Sequence, residues 1–387
     1  MSPSTSESRT GPEMRLGDDP QARRVVWLIN DFDRGGAQQG LLTLARNGAF
    51  EGVALTMVSF VRGSGAFIKD LEGLGVPVVA MHDAGRMKVG HLVSGAWRLW
   101  RLLGAVSPSA IVLALPQANI IGRIVGRLRG VPVIASFEHN THLAKPVYEL
   151  AYRLTSPVVD WTLADCDATA EEATRRLYSR RAARRTILPL ASFSVQPVTS
   201  APVATGAGPF RIVNAGRLTA VKNQAALLHA VRQLVDRGHD VSLRLYGEGR
   251  ERSRYEALVQ SLGLQDRVHL MGHVRDWWMQ GADLFVLSSR HEGLCIALLE
   301  AMAAGIPAAA PLVGGVGDYG TDGAVDILED LQPETIATAI EGLMAAPERR
   351  MEISRRGRAV VAERFGTDAV GRRYEAFAAE LRALPCR

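Results

Sequence analysis

At 387 residues the chain is too long for one ordinary hydrophobic core, and 47% hydrophobic with 22% charged residues is the balance of a soluble globular protein. Lys and Arg outnumber Asp and Glu by 45 to 40, a net charge of +5 that favours anionic partners such as phosphates or anionic lipid without choosing among them. Cys166, Cys295 and Cys386 are far apart and lack CxxC spacing, which argues against a disulfide framework or a zinc site and points to a reducing, cytoplasmic setting.

Residues 1–22 are polar, which predicts a disordered tail rather than a signal peptide or anchor, and no apolar run reaches the roughly 18 to 20 residues that cross a bilayer. From Arg24 strands and helices alternate. The strand VVWLIN leads through the loop DFDRGGAQQ to a helix from Leu41 to Asn47, the strand VALTMVSF, a helix around Phe67 to Leu74 and the strand VPVVA. Then come the strand AIVLAL, the helix NIIGRIVGRLRG, the strand VPVIASF, the helix PVYELAYRLT, the strand VVDWTLA and the helix TAEEATRRLYS. The small, uncharged stretch SAPVATGAG reads as a linker. A second series follows with the strands FRIVNAG, VSLRLYG, RVHLMG, DLFVLSS and PAAAP. The pattern predicts an α/β fold of two Rossmann-like domains, each a parallel sheet covered on both faces, meeting at a cleft at the carboxyl ends of the strands. The expected divisions are a tail 1–22, a first domain 23–199, a linker 200–209, a second domain 210–365 and a terminal helix within 366–387.

The segment SSRHEGLCIALLEAMAAGIP, residues 288–307, carries the most chemistry. Leu294, Leu298, Ala301 and Met302 recur at helical spacing, Gly305 supplies a left-handed stop and Pro307 prevents resumption. The helix is apolar almost all round, yet Glu300 sits in its middle. Unpartnered burial there would cost several kcal/mol, so Glu300 either lies on a narrow solvent strip or accepts specific hydrogen bonds. Glu292 and the amides of Gly293, Leu294 and Cys295 fall at the helix start, where free N–H groups attract anions. The separation of the two glutamates spans about 12 Å, roughly the reach from a hexose to a ribose across a diphosphate. NAGRLTAVKN, residues 214–223, is a strand-to-helix turn carrying Gly216, Arg217 and Lys222, cations suited to a diphosphate. In the first domain Gly35 and Gly36 let the backbone approach donor phosphates or the acceptor, Asp31-Phe32-Asp33 reads as a polar loop, and VPVIASF delivers Glu138, His139, Asn140, Thr141 and His142 to the cleft edge.

Glu292 and Glu300, framed by the strand ADLFVLSS before and AAGIPAAAP with Gly314 and Gly315 after, resemble the signature of the family-four retaining glycosyltransferases of the GT-B fold. The resemblance implies that Arg217 and Lys222 contact the donor diphosphate, that Glu292 positions the donor sugar and Glu300 the ribose, and that the nucleotide base lies near His273 and Val274. It places His139 beside the reaction centre, with His142 as the second candidate, and a terminal helix that crosses back to the first domain. It also implies retention of configuration by same-face attack, the leaving phosphate assisting deprotonation of the acceptor, with no metal and no cofactor. Three stretches depart from the family pattern. The segment from Val274 to Asp283 is short and carries Trp277 and Trp278; VGDYGTDGAVDIL is compressed, with Asp318 in place of a glutamate; LPLASF replaces an Asn-Gly turn. The first two leave donor identity open.

The function expected is therefore transfer of a sugar from a nucleoside-diphosphate sugar to a hydroxyl of a glycan, glycolipid or small-molecule acceptor. A nucleotide-sugar epimerase or phosphorylase, or a non-catalytic nucleotide-sugar-binding protein, would suit the same fold. GHLVSGAWRLWRLLGAV with Arg98 and Arg101, and the following helix with Arg123, Arg127 and Arg129, read either as a surface resting on anionic membrane or as sheet-packing helices with solvated arginines. RRLYSRRAARR reads as a solvated face, with no nucleic-acid module behind it.

Overall fold

The computed structural model describes residues 22–33, 36–139, 146–195 and 208–385. Most of the tail and of the expected linker lies outside them. Near-continuous apolar runs form the central strands, as a sheet covered on both faces requires. The first sheet contains β1 Arg23–Ile29, β2 Val53–Ser59, β3 Val78–Ala80, β4 Ala110–Ala114, β5 Val133–Glu138, β6 Trp161–Ala164 and β7 Arg184–Ile187. Its spatial order is β3-β2-β1-β4-β5-β6-β7, parallel throughout. The second contains β8 Phe210–Ala215, β9 Val241–Tyr246, β10 Val268–Gly272, β11 Leu284–Val286, β12 Ala308–Ala310 and β13 Asp326–Ile327. It is also parallel, in the order β10-β9-β8-β11-β12-β13. The order reverses beside β1 in one sheet and beside β8 in the other. Open α/β sheets bind ligands outside the carboxyl ends of strands at such a switch point.

Two edge strands were not expected. β7 opens with the exposed Arg184 and Arg185, and β13 has two residues, so neither carries a buried apolar run. The VVDWTLA segment becomes a strand only from Trp161, because Ser156–Val158 forms a 3-10 turn and the Asp160 carboxylate accepts the Ile134 amide at 2.9 Å. The terminal helix Thr367–Arg382 does cross back: Val370, Tyr374, Phe377 and Leu381 recur at helical spacing and enter the first sheet's core. Phe377 lies 5.3 Å from the Trp161 ring and 6.2 Å from Phe50, and the Tyr374 hydroxyl donates to the Pro189 carbonyl. Burying each such side chain contributes about 1.5–3 kcal/mol, which fastens the end of the chain to its beginning. Among the described residues no helix is long and apolar enough to cross a membrane.

Candidate functional site

In the second sheet the switch point is built by β8 and β11. The side-chain amide of Asn214 donates to the Val286 carbonyl at 2.8 Å, tying the two strand ends together. The chain then turns through Gly216 and Arg217 to the 3-10 turn Ala220–Lys222, and Asn223, left-handed at φ 53°, starts the helix Gln224–Asp236. Arg217 is exposed and makes no side-chain bond among the described residues, so its guanidinium is available to a ligand. Lys222 is fixed: its Nζ lies 2.7 Å from both carboxylate oxygens of Glu292. Ser288 Oγ donates to the Lys222 carbonyl at 3.0 Å, and the Arg290 amide donates to Val221 at 2.9 Å. Two segments 70 residues apart thus meet as one cation and one carboxylate, with Glu292 only 6% exposed.

The loop after Glu292 is clamped by its neighbours. A Cβ on Gly314, whose φ is +54°, would lie 2.0 Å from the Glu292 carbonyl oxygen, so only glycine fits. The Gly315 amide donates to Gly293 O at 2.8 Å, and the Tyr319 hydroxyl to Leu294 O at 2.8 Å. The helix itself runs Ile296–Ala303, later than the apolar spacing implied: Leu294 precedes it and Cys295 is left-handed at φ 58°. Burial pushes the Cys295 thiol well above its ordinary range, leaving it a packing group.

Glu300 finds a specific partner. The Trp277 indole Nε1–H donates to its carboxylate at 2.9 Å, and that tryptophan packs 5.7 Å from Tyr246 and 5.5 Å from Phe285. Burial, aided by the charge of Asp276, lifts Glu300 to about 7. The short segment after Val274 therefore supplies a donor to the glutamate. His273 is exposed just beyond β10, and Val274 packs in the cluster that holds Trp277 and the 296–303 helix.

From the first domain, His139 emerges at the end of β5. Its Nδ1 is buried without a partner among the described residues, and burial lowers its pKa to about 4, so the ring is neutral at pH 7. Its carbonyl abuts the second domain: a Cβ on Gly293 would lie 2.5 Å from His139 O and 3.0 Å from Asp165 Oδ2. Asp165, at the end of β6, accepts the Leu294 amide at 3.3 Å. In return Asp318 accepts the Ala168 amide at 3.0 Å, so each domain offers a carboxylate to the other's backbone. Burial raises Asp165 to about 6. One of the amides expected to face an anion is thus held by a carboxylate of the facing domain.

Glu138 does not reach the cleft edge. It is 3% exposed and bound by the fully buried Arg123 at 3.2 Å and by the Tyr178 hydroxyl at 2.9 Å. Arg123 also donates to Ser136 Oγ at 3.0 Å and sits 4.4 Å over the Tyr152 ring, so it is no solvated helix arginine. The cluster anchors the end of β5 behind His139. Asn140, Thr141, His142 and Gly35 lie outside the described residues, and Gly36 opens the helix Gly36–Arg46. The Asp31 and Asp33 side chains accept loop bonds from Gln38 and the Ser64 amide, while Phe32 is fully buried. Between the domains lies a cavity of roughly 680 Å³, lined by Thr169 and Arg175 on one side and Arg290, His291, Glu292 and Gly314 on the other. The structure thus joins Lys222, Glu292, Gly293 and His139 into one locale and sets Glu300 apart on Trp277. Asp165 and the pairing role of Trp277 escaped sequence reasoning. The position of Asp165 at a strand's carboxyl end was the available signal.

The family model described as glycosyl transferases group 1 matches residues 199–360, and that of a glycosyl transferase 4-like domain matches residues 35–191. Alpha-D-kanosaminyltransferase of Streptomyces kanamyceticus is 26% identical over 273 residues, covering 64% of this chain and 70% of that protein. The lipopolysaccharide core biosynthesis glycosyltransferase LpsD of Rhizobium meliloti is 31% identical over 181 residues, 46% of this chain and 52% of that protein. Among solved structures, Anabaena Alr3699/HepE in complex with UDP superposes with a TM-score of 0.76 at 18% identity, over 92% of this chain and all of that one, a likeness of fold.

Proposed function

This chain belongs to the glycosyltransferases of the GT-B fold, and from that premise we propose that it moves a sugar from a nucleoside-diphosphate sugar to an acceptor hydroxyl, with retention and without a metal ion. The observation that carries the reading is the convergence of Lys222, Glu292 and the free Arg217 at the carboxyl ends of β8 and β11. Breaking a glycosyl–phosphate bond leaves charge on the departing diphosphate. A bidentate arginine and a lysine offset it without reorganising at the moment of reaction. When the diphosphate draws Lys222 away, Glu292 is released to accept hydroxyls of the donor sugar. Glu300, with one oxygen already held by Trp277, serves the ribose with the other. His139, neutral at pH 7, is assigned to the reaction centre, where it brings no charge to the donor sugar. The acceptor oxygen attacks from the face the phosphate leaves, and a phosphate oxygen takes its proton. HepE has been solved with UDP and with UDP-glucose, which makes uridine nucleotides the first donors to try. The acceptor is a hydroxyl of a glycan, glycolipid or small molecule.

The test is thermal stability against a panel of nucleoside diphosphates and their sugar conjugates, followed by turnover and anomeric analysis by NMR with the donor that binds. A selective shift lost in Glu300→Ala supports the donor site. An inverted product, or transfer that ceases on chelation, overturns the retaining, metal-independent chemistry.

A further inference from the structure

Three neighbouring helices of the first domain carry apolar residues on the side turned away from the sheet. The helix Val89–Val106 buries Gly95, Leu99, Leu103 and Val106, as a sheet-covering helix should. It also exposes Val89, Val93, Trp97 and Trp100, by 77%, 72%, 58% and 37%, a second stripe at helical spacing. The helix Pro116–Leu128 packs against it and exposes Ile124 and Leu128; the helix Pro146–Thr155 packs against that one and exposes Val147, Leu150 and Leu154. Solvent-facing apolar stripes on three adjacent helices are more than the scattered exposed leucines of an ordinary surface.

The charge around the first two stripes has one sign. Between Asp83 and Glu138 there is no aspartate or glutamate, while Arg86, Lys88, Arg98, Arg101, Arg127 and Arg129 all fall there. Glu149, on the third helix, is taken by Arg176 at 2.5 Å. Two guanidinium groups sit against the tryptophans: Arg101 is 5.0 Å from the Trp97 ring and Arg129 is 4.9 Å from the Trp100 ring. Apolar side chains and indoles with cations beside them suit the boundary between headgroups and acyl chains, where arginine stems lie along the apolar surface and their heads reach phosphate. A second copy of the chain pressing the same face would set these cations against one another, so self-association is disfavoured here.

We infer that this three-helix face docks on a lipid bilayer containing anionic headgroups. The Pro146–Thr155 helix begins seven residues beyond His139, so the docked bilayer would lie beside the cleft and could present a lipid-borne acceptor to it. That last step alone rests on the glycosyltransferase reading; docking does not.

Flotation of the purified full chain with phosphatidylcholine vesicles, with and without phosphatidylglycerol, tests it without requiring turnover. Binding is expected to the anionic vesicles and to weaken with salt. At about 1 kcal/mol for each cation near the surface, Arg101→Ser with Arg127→Ser weakens it about 25-fold. Val93→Ser with Trp97→Ser is expected to weaken it at least tenfold. All four side chains are exposed, and unchanged thermal midpoints will show that the variants fold. No flotation, equal flotation with both vesicle types, or variants that float like the wild type overturns the inference. So does a wild-type dimer in sedimentation that the Val93/Trp97 variant abolishes, for the face would then belong to a second copy.

Discussion

Glu300→Gln is expected to make the protein more stable while weakening nucleotide binding. Glutamine has the size of glutamate and can still accept the Trp277 indole proton, so the substitution removes charge with little change in packing. Burial raises Glu300 from an ordinary 4.5 to about 7. The sign follows from linkage: the folded state holds this proton more tightly than the unfolded chain, so between those two values the unfolded chain ionises first and stability falls as pH rises. Below the lower value both states are protonated and the group contributes nothing. Above the upper value the whole difference is lost from stability, about 2–3 kcal/mol once partial exposure is allowed for.

For a domain of this size a gain of about 2–3 kcal/mol raises the midpoint by roughly 4–10 °C at pH 8.5, and at pH 5 the gain is under about 1 kcal/mol. Differential scanning fluorimetry of both proteins from pH 5 to 8.5 measures this. A gap between the two proteins that is constant with pH, or one that favours the wild type as pH rises, would refute the assignment of a buried, destabilising carboxylate. In the same samples the stabilisation conferred by a nucleoside diphosphate should fall in the variant. A residue that lowers stability at neutral pH while its partner is a lone indole is best explained by a ligand that completes its hydrogen bonds.

Substitutions at Lys222, Glu292 and Arg217 probe the cations at the heart of the site and the carboxylate that pairs with one of them. Lys222→Met strands the nearly buried Glu292 and should cost about 3 kcal/mol, most of it recovered in the double variant with Glu292→Gln; chemical denaturation distinguishes the two. Arg217→Ala removes an exposed side chain without a partner among the described residues, so its midpoint should stay close to the wild-type value while turnover falls by roughly two to three orders of magnitude. Wild-type turnover in Arg217→Ala would remove it from the leaving-group site.

The second domain was legible because each of its signals is local. An apolar run, a Gly-Arg turn and a helix ending in Gly305 and Pro307 act within a dozen residues, and β8 to β12 and the Lys222 turn lie where those signals put them. What the sequence concealed depends on contacts between distant segments. Arg123 reads as one more basic residue on a helix until Glu138, Tyr152 and Tyr178 close around it, and Gly122 packs so near Leu113 that this face must turn inward. The start of the 296–303 helix was misplaced because apolar spacing cannot reveal the left-handed Cys295. Trp277 was visible as a departure from the family pattern, yet its reach to Glu300 spans a strand and a loop.

Asp165 bears on how the two domains cooperate. Its carboxylate holds the Leu294 amide at 3.3 Å, and that amide belongs to the loop where a donor diphosphate is proposed to sit. One N–H cannot serve both, and with a pKa of about 6 Asp165 carries its charge at pH 7.5, so it opposes an incoming anion in a place where screening by solvent is poor. Asp318 and Ala168 would keep the domains in contact while the other link opens. Asp165→Asn leaves an acceptor for the amide and removes the repulsion, so nucleoside diphosphate should bind roughly three- to tenfold tighter at pH 7.5, on the order of 1 kcal/mol. The advantage should shrink as pH falls below about 6, because protonation then neutralises the wild-type group as well. Isothermal titration at pH 5.5 and 7.5 measures both limbs. Equal affinities at pH 7.5, or weaker binding by the variant, would mean that the diphosphate does not approach the Leu294 amide and that the Asp165 contact only holds the domains together.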